Sequence, residues 1–107
     1  MGYIVHHTII VTGWHGEENL LAAHGHARAL FGKEMVSDIS PPVTNSYASF
    51  SVFPDGSKDG WEESNTANEN RATLIAFLRK TYLDWAEVRF GDEHGPGGIE
   101  NESREEE

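Results

Sequence analysis

An α+β fold, with two helices laid over one face of an antiparallel sheet, is predicted by three features of the sequence. These are a ten-residue alternating strand near the start, two amphipathic helical stretches, and turn chemistry that sets off further short strands between and after them. From Tyr3 to Thr12, Tyr3, Val5, His7, Ile9 and Val11 point one way, and Ile4, His6, Thr8, Ile10 and Thr12 the other. After a turn at Gly13 to Gly16, Glu17 and Glu18 open a helix with the inward stripe Leu20, Ala23, His24, Ala27, Leu30 and Phe31, ended by Gly32. A short strand at Met35 to Ile39 is stopped by Pro41 and Pro42, and Asn45 and Ser46 turn the chain into a third strand, Tyr47 to Phe53, with Ala48, Phe50 and Val52 inward. Thr66 and Glu69 have capping-box spacing and introduce a second helix running to about Tyr82, with Leu74, Ile75, Leu78 and Tyr82 inward. The last strand, Leu83 to Phe90, is expected to send Ala86, Val88 and Phe90 to the core and Trp85, Glu87 and Arg89 away from it.

The order β-α-β-β-α-β is that of a ferredoxin-like plait, whose helices share one sheet face and leave the other open. On this reading the open face carries His6, Thr8, Ile10, Tyr47, Ser49, Ser51, Phe53, Trp85, Glu87 and Arg89, too apolar a surface to be left in water without cause. Homodimerisation through it is the expected cover. The domain occupies residues 1–91, and residues 92–107 are read as a flexible acidic tail, since Asp92, Glu93, Glu100, Glu102, Glu105, Glu106 and Glu107 face only Arg104.

Of the net charge of -10, the tail holds -6, so the domain carries -4, which disfavours nucleic acid as a partner. The chain has no cysteine, which removes disulfides, thiolate metal sites and thiol nucleophiles and fits a reducing compartment. No apolar run reaches membrane-spanning length, and the expected location is cytoplasmic.

Three groups of residues invite chemistry. His6 and Thr8 share a face two residues apart and form half of the His-x-Thr arrangement of two-histidine phosphoesterases, so an enzyme would need a symmetric dimer to supply the second copy. The plain alternative is two strand residues on an interface. His15, His24, His26 and His94 lack metal-ligand spacing, since His24 and His26 diverge on a helix, and neither a metal nor a cofactor is expected. The stretch Pro54 to Trp61 combines Gly-containing turns with Ser57, Lys58 and Trp61 just before a helix, and Arg71 follows inside that helix. Backbone amides and cations there suit a phosphate, and Trp61 suits a base. The plain alternative is a hairpin-to-helix loop with Trp61 folded over the core edge.

The sequence also resembles a family of small uncharacterised proteins of tailed bacteriophages. The resemblance runs through YIVHHTIIVT from Tyr3 to Thr12, His26-Ala27, Ser49-Phe50, PDGSKDGW from Pro54 to Trp61, Ser64, Arg71, Phe77, Trp85 to Glu87 and Gly91-Asp92. The family carries no assigned activity. What the resemblance implies is a setting: a small accessory protein made in the cytoplasm of a bacterial host, where such proteins counter host defences. A non-catalytic sponge that sequesters a nucleotide-derived immune signal is the expected function, with Ser57, Lys58, Trp61, Arg71 and Arg89 as ligand-binding residues. The alternatives are cleavage of such a signal by His6 and Thr8 in a dimer, and inhibition of a host defence protein through the open sheet face.

Overall fold

The computed structural model describes residues 4–42, 45–54, 57–58, 62–91 and 97–103. It is an α+β fold with an antiparallel sheet and two helices. The strands are β1 (Ile4–Trp14), β2 (Tyr47–Val52), β3 (Ser57–Lys58), β4 (Asp84–Phe90) and β5 (Gly98–Glu102), and the helices are α1 (Glu18–Phe31) and α2 (Glu62–Leu78). The sheet order is β2-β1-β4-β5, and β3 pairs with the start of β1. Among the described residues no helix is long and apolar enough to cross a membrane.

Strand parity places the core. Ile9 and Val11 of β1 lie opposite Val52 and Phe50 of β2, and Ile9 and Val11 also lie opposite Glu87 and Trp85 of β4, so these residues share one face. Both helices cover that face, Leu20, Ala23 and Ala27 from α1 and Leu74, Ile75 and Leu78 from α2 being buried against it. Two of the three buried positions of α1 are alanines, so its inward stripe is low. Gly32, at φ 93°, closes α1 in a conformation side chains rarely adopt, and its amide donates to the Arg28 carbonyl.

Four expectations are corrected. The segment after α1 does not form a regular second strand: a short 3-10 turn (Lys33–Met35) leads into a single bridge between Val36 and Val52. Serine hydroxyls explain this. Ser51 donates its amide to Ser37 Oγ and Ser49 donates its amide to Ser40 Oγ, so side chains take amides that a regular ladder would offer to carbonyls. The amides of Ser37, Ser40 and Phe53 still reach across, to the carbonyls of Ser51, Ser49 and Met35, and the segment runs along the outer edge of β2.

Helix α2 begins at Glu62, a turn ahead of the expected cap at Thr66, and it ends at Leu78. Thr81 stops it: its hydroxyl donates to the Leu78 carbonyl and accepts the Leu83 amide. Tyr82, expected inward, is 98% exposed. The parity of β4 is opposite to that expected, with Leu83, Trp85 and Glu87 buried and Phe90 exposed. The indole and leucine bury more apolar surface than Ala86 and Val88 would, and a one-residue difference in parity exchanges every side chain between faces.

The fourth correction concerns the acidic segment. Gly98–Glu102, read as part of a solvated tail, pairs with β4 as β5. Entry to this strand depends on Gly97, where a Cβ would lie 2.6 Å from the Arg89 carbonyl oxygen. The pairing steps from Glu87 opposite Asn101 to Val88 opposite Ile99, which leaves Glu100 as an inserted residue. Such a bulge re-aims side chains, and here Glu100 contacts residues of the helix-covered face.

Candidate functional site

The helix-covered face changes character along the strands. At one end it is apolar. At the other, beyond Ile9, His7 continues the same row of β1, while Glu87 on β4 and Glu100 on β5 flank it. His7 Nδ1 lies 3.0 Å from Glu100 Oε1 and 3.9 Å from Glu87 Oε2. Despite the short contact with Glu100, Nδ1 is fully buried and makes no aligned hydrogen bond.

Arginines bracket the carboxylates. Arg71, from the buried side of α2, places Nε 3.5 Å from Glu87 Oε2 and also donates to Asn68 Oδ1. Asn101 donates to Glu87 Oε1 at 2.7 Å, and Arg89 Nε lies 3.6 Å from Glu100 Oε2. Arg71 is 3% exposed and Glu87 6%, so this pair has left water almost completely. A buried ion pair stands only when further hydrogen bonds complete it, and Asn68 and Asn101 do so here.

A cleft of about 390 Å³ opens over the cluster between α2 and the sheet. Arg71, Arg79 and Asn68 line its helix side, and His7, Glu87, Glu100 and Asn101 its sheet side. Arg79 donates to Asn101 Oδ1 at 3.3 Å and lies 5.2 Å over the Trp85 ring, so its guanidinium is held at the cleft by both contacts. The lining offers guanidinium donors for an anion together with amides, carboxylates and an imidazole for a polar heterocycle edge.

Of the residues singled out in the sequence, Arg71 and Arg89 come together around Glu87, His7 and Glu100. Arg71 is there chiefly as a buried counter-ion rather than as an outward-facing cation. Ser57 and Lys58 form β3, their backbones opposite Val5 and Ile4. Trp61 lies outside the described residues, as do Asp55, Gly56, Asp59 and Gly60 of the same stretch, and His94.

His6 and Thr8 are on the opposite, uncovered face. The Thr8 hydroxyl donates to the Val52 carbonyl at 2.6 Å, and the His6 ring packs against Phe90 with centroids 5.2 Å apart. His24 borders the core, its Nε2 2.9 Å from the Ser37 carbonyl oxygen, and His26 packs on Phe77. The sequence hides this cluster because His7 falls in an otherwise apolar row of β1. A titratable residue between Val5 and Ile9 was the available signal, since such a group requires polar company when buried.

No known protein family, curated protein or solved structure matches this chain.

Proposed function

We propose that the protein is a phage accessory protein that binds and sequesters a nucleotide-derived signal of host defence without converting it. The observation that carries this reading is the cleft over the charged cluster. Its volume of about 390 Å³ suits a small molecule, and it places Arg71 and Arg79 opposite Asn101, His7 and the two glutamates. A nucleotide presents the matching chemistry, phosphate at one end and a hydrogen-bonding base at the other. The commitment of the Thr8 hydroxyl to Val52 speaks against cleavage by His6 and Thr8, because that hydroxyl would have to serve a phosphate oxygen.

We take Met35 to Ser40 as the degenerate second strand of a ferredoxin-like plait, with β5 added at the far edge. Its uncovered face carries Ile10, Trp14, Tyr47, Phe90 and Ile99, each more than 40% exposed. A second copy of this chain is the occupant proposed for that face. Strand spacing and rise give it an area of roughly 500–700 Å², close to the ~800 Å² per partner of a stable interface. The resemblance to tailed-phage proteins supplies the setting, the cytoplasm of a bacterial host.

The test is to incubate the purified protein with linear and cyclic nucleotides, remove the excess, denature it, and identify what is released by mass spectrometry. An intact nucleotide in stoichiometric amount, reduced at least tenfold in Arg79→Ala with the circular dichroism spectrum unchanged, is the expected result. A converted product would replace sequestration by catalysis. No retained nucleotide, with the protein monomeric, would leave the uncovered face to a host protein.

A further inference from the structure

Two carboxylates in a cleft read as a nucleotide site pose an electrostatic problem, because Glu87 and Glu100 repel the phosphate that Arg79 attracts, while Arg71 is engaged with Glu87. We propose that His7, Glu87 and Glu100 hold a divalent first-row transition-metal ion, which joins the sheet side of the cleft to a phosphate of the ligand. The bridging half of this inference rests on the nucleotide reading; the metal site does not. Among the described residues these three form the group whose candidate ligand atoms all lie within 4.8 Å of one another. Ligand atoms around an ion with bonds of about 2.1 Å stand roughly 3.0–3.4 Å apart. The His7 to Glu100 separation of 3.0 Å already meets that, and the 3.9 Å to Glu87 needs only a small closure.

A second observation points the same way. Nδ1 of His7 is fully buried and has no aligned hydrogen-bond partner, although its neighbours are two carboxylates. A buried ring nitrogen left in that state is costly, and a metal ion between it and the carboxylates satisfies it. The three donors come from adjacent strands β1, β4 and β5 and share one face of the sheet, which leaves the cleft side of the ion open for a phosphate oxygen or water.

The arginines are compatible with this arrangement. Arg71 Nε stands 3.5 Å from Glu87 Oε2 and Arg89 Nε 3.6 Å from Glu100 Oε2, beyond the length of a tight charge-assisted hydrogen bond. An arginine thus neighbours each carboxylate, and Asn101 fixes the second oxygen of Glu87. One nitrogen and two oxygen donors favour ions such as Mn²⁺ or Zn²⁺ over Ca²⁺, which takes oxygen ligands.

The experiment titrates the full chain with Mn²⁺ alone, followed by electron paramagnetic resonance and calorimetry. One ion per chain is expected, with affinity at least tenfold weaker in Glu100→Gln and in His7→Gln. Glu100 is the better test position because its side chain is partly exposed and its loss leaves the Arg71 to Glu87 pair intact. No bound Mn²⁺, or equal binding in wild type and Glu100→Gln with both folded, overturns the site. Nucleotide retention is then compared with Mn²⁺ and after chelation. Retention at least tenfold higher with Mn²⁺ supports the bridge, and equal retention overturns it while the nucleotide reading stands. If Mn²⁺ binds through Glu100 but no nucleotide is retained under either condition, the metal site is supported and the nucleotide reading, with the bridge, is overturned.

Discussion

Each face of the sheet departs from its customary contents at one place. The face covered by the helices encloses His7, Glu87 and Arg71, whereas the uncovered face presents Ile10, Trp14, Tyr47, Phe90 and Ile99. On a surface chosen for folding alone, the charges would be outside and the aromatics inside. Each departure needs its own compensation. The buried charges have theirs within the chain, from Asn68, Asn101 and Arg89, while the exposed aromatics have only partial cover, from the 4.8 Å stack of Trp14 on Tyr47 and the packing of His6 on Phe90. The covered face thus meets most of its polar needs within the chain, whereas the uncovered face leaves its aromatics largely in water.

The largest expected effect comes from breaking the covered side. Arg71→Ala leaves Glu87 buried without its cation, and should cost roughly 3–5 kcal/mol in urea unfolding. Replacing both partners by apolar residues, Arg71→Met with Glu87→Leu, should recover most of that loss. A double variant as unstable as the single one would show that the cluster holds the fold rather than a ligand.

The uncovered side is broken by charge. Ile10→Lys, at the centre of that face and already 43% exposed, should barely change monomer stability but weaken self-association by roughly 2 kcal/mol or more. Sedimentation velocity over a dilution series reads this directly, and a wild type that stays monomeric would remove the second copy as the cover. Between the two faces lies β5, whose docking supplies both Glu100 to the cluster and Ile99 to the apolar surface. Gly97→Ala forces a Cβ to within 2.6 Å of the Arg89 carbonyl oxygen, and the resulting displacement should cost about 1–3 kcal/mol. Hydrogen exchange at the β5 amides should then accelerate well before that of β1.

The sequence exposes these faces unequally. The parity of β1 was legible because Thr8 and Thr12 flank Ile9 and Val11 on the other face, and α1 because its stripe ends at Gly32. On β4 both parities are partly apolar, and the one that wins places a glutamate in the interior. Its justification, Arg71, belongs to a different element, so no local pattern could reveal it. β5 was illegible for a related reason: Gly98–Glu102 has a polar, acidic sequence, and it becomes a strand because the β4 edge offers unpaired backbone groups. Arg71 and Arg89 were recognisable as cations of interest. Their neighbours are hidden, because the local pattern turns Glu87 away from the core, leaves Glu100 in an acidic tail and puts His7 in an apolar row.

The smallest effect separates burial from distance as the source of an ion pair's strength. Arg28 meets Asp38 at 2.7 Å, closer than Arg71 meets Glu87 at 3.5 Å, yet the Asp38 side chain is 92% exposed and that of Glu87 8%. The hydrogen bond from Arg28, with its charge beside it, holds the Asp38 carboxyl below its ordinary value of 3.8. Because the folded value is the lower one, this pair stabilises the protein above the ordinary carboxylate range and loses that contribution as pH falls through it. Water screens most of the attraction. Asp38→Asn should therefore lower the unfolding midpoint slightly at neutral pH, and the difference from wild type should vanish on acidification through that window. A loss as large as that of Arg71→Ala would show that proximity, rather than removal from water, sets the strength of both pairs.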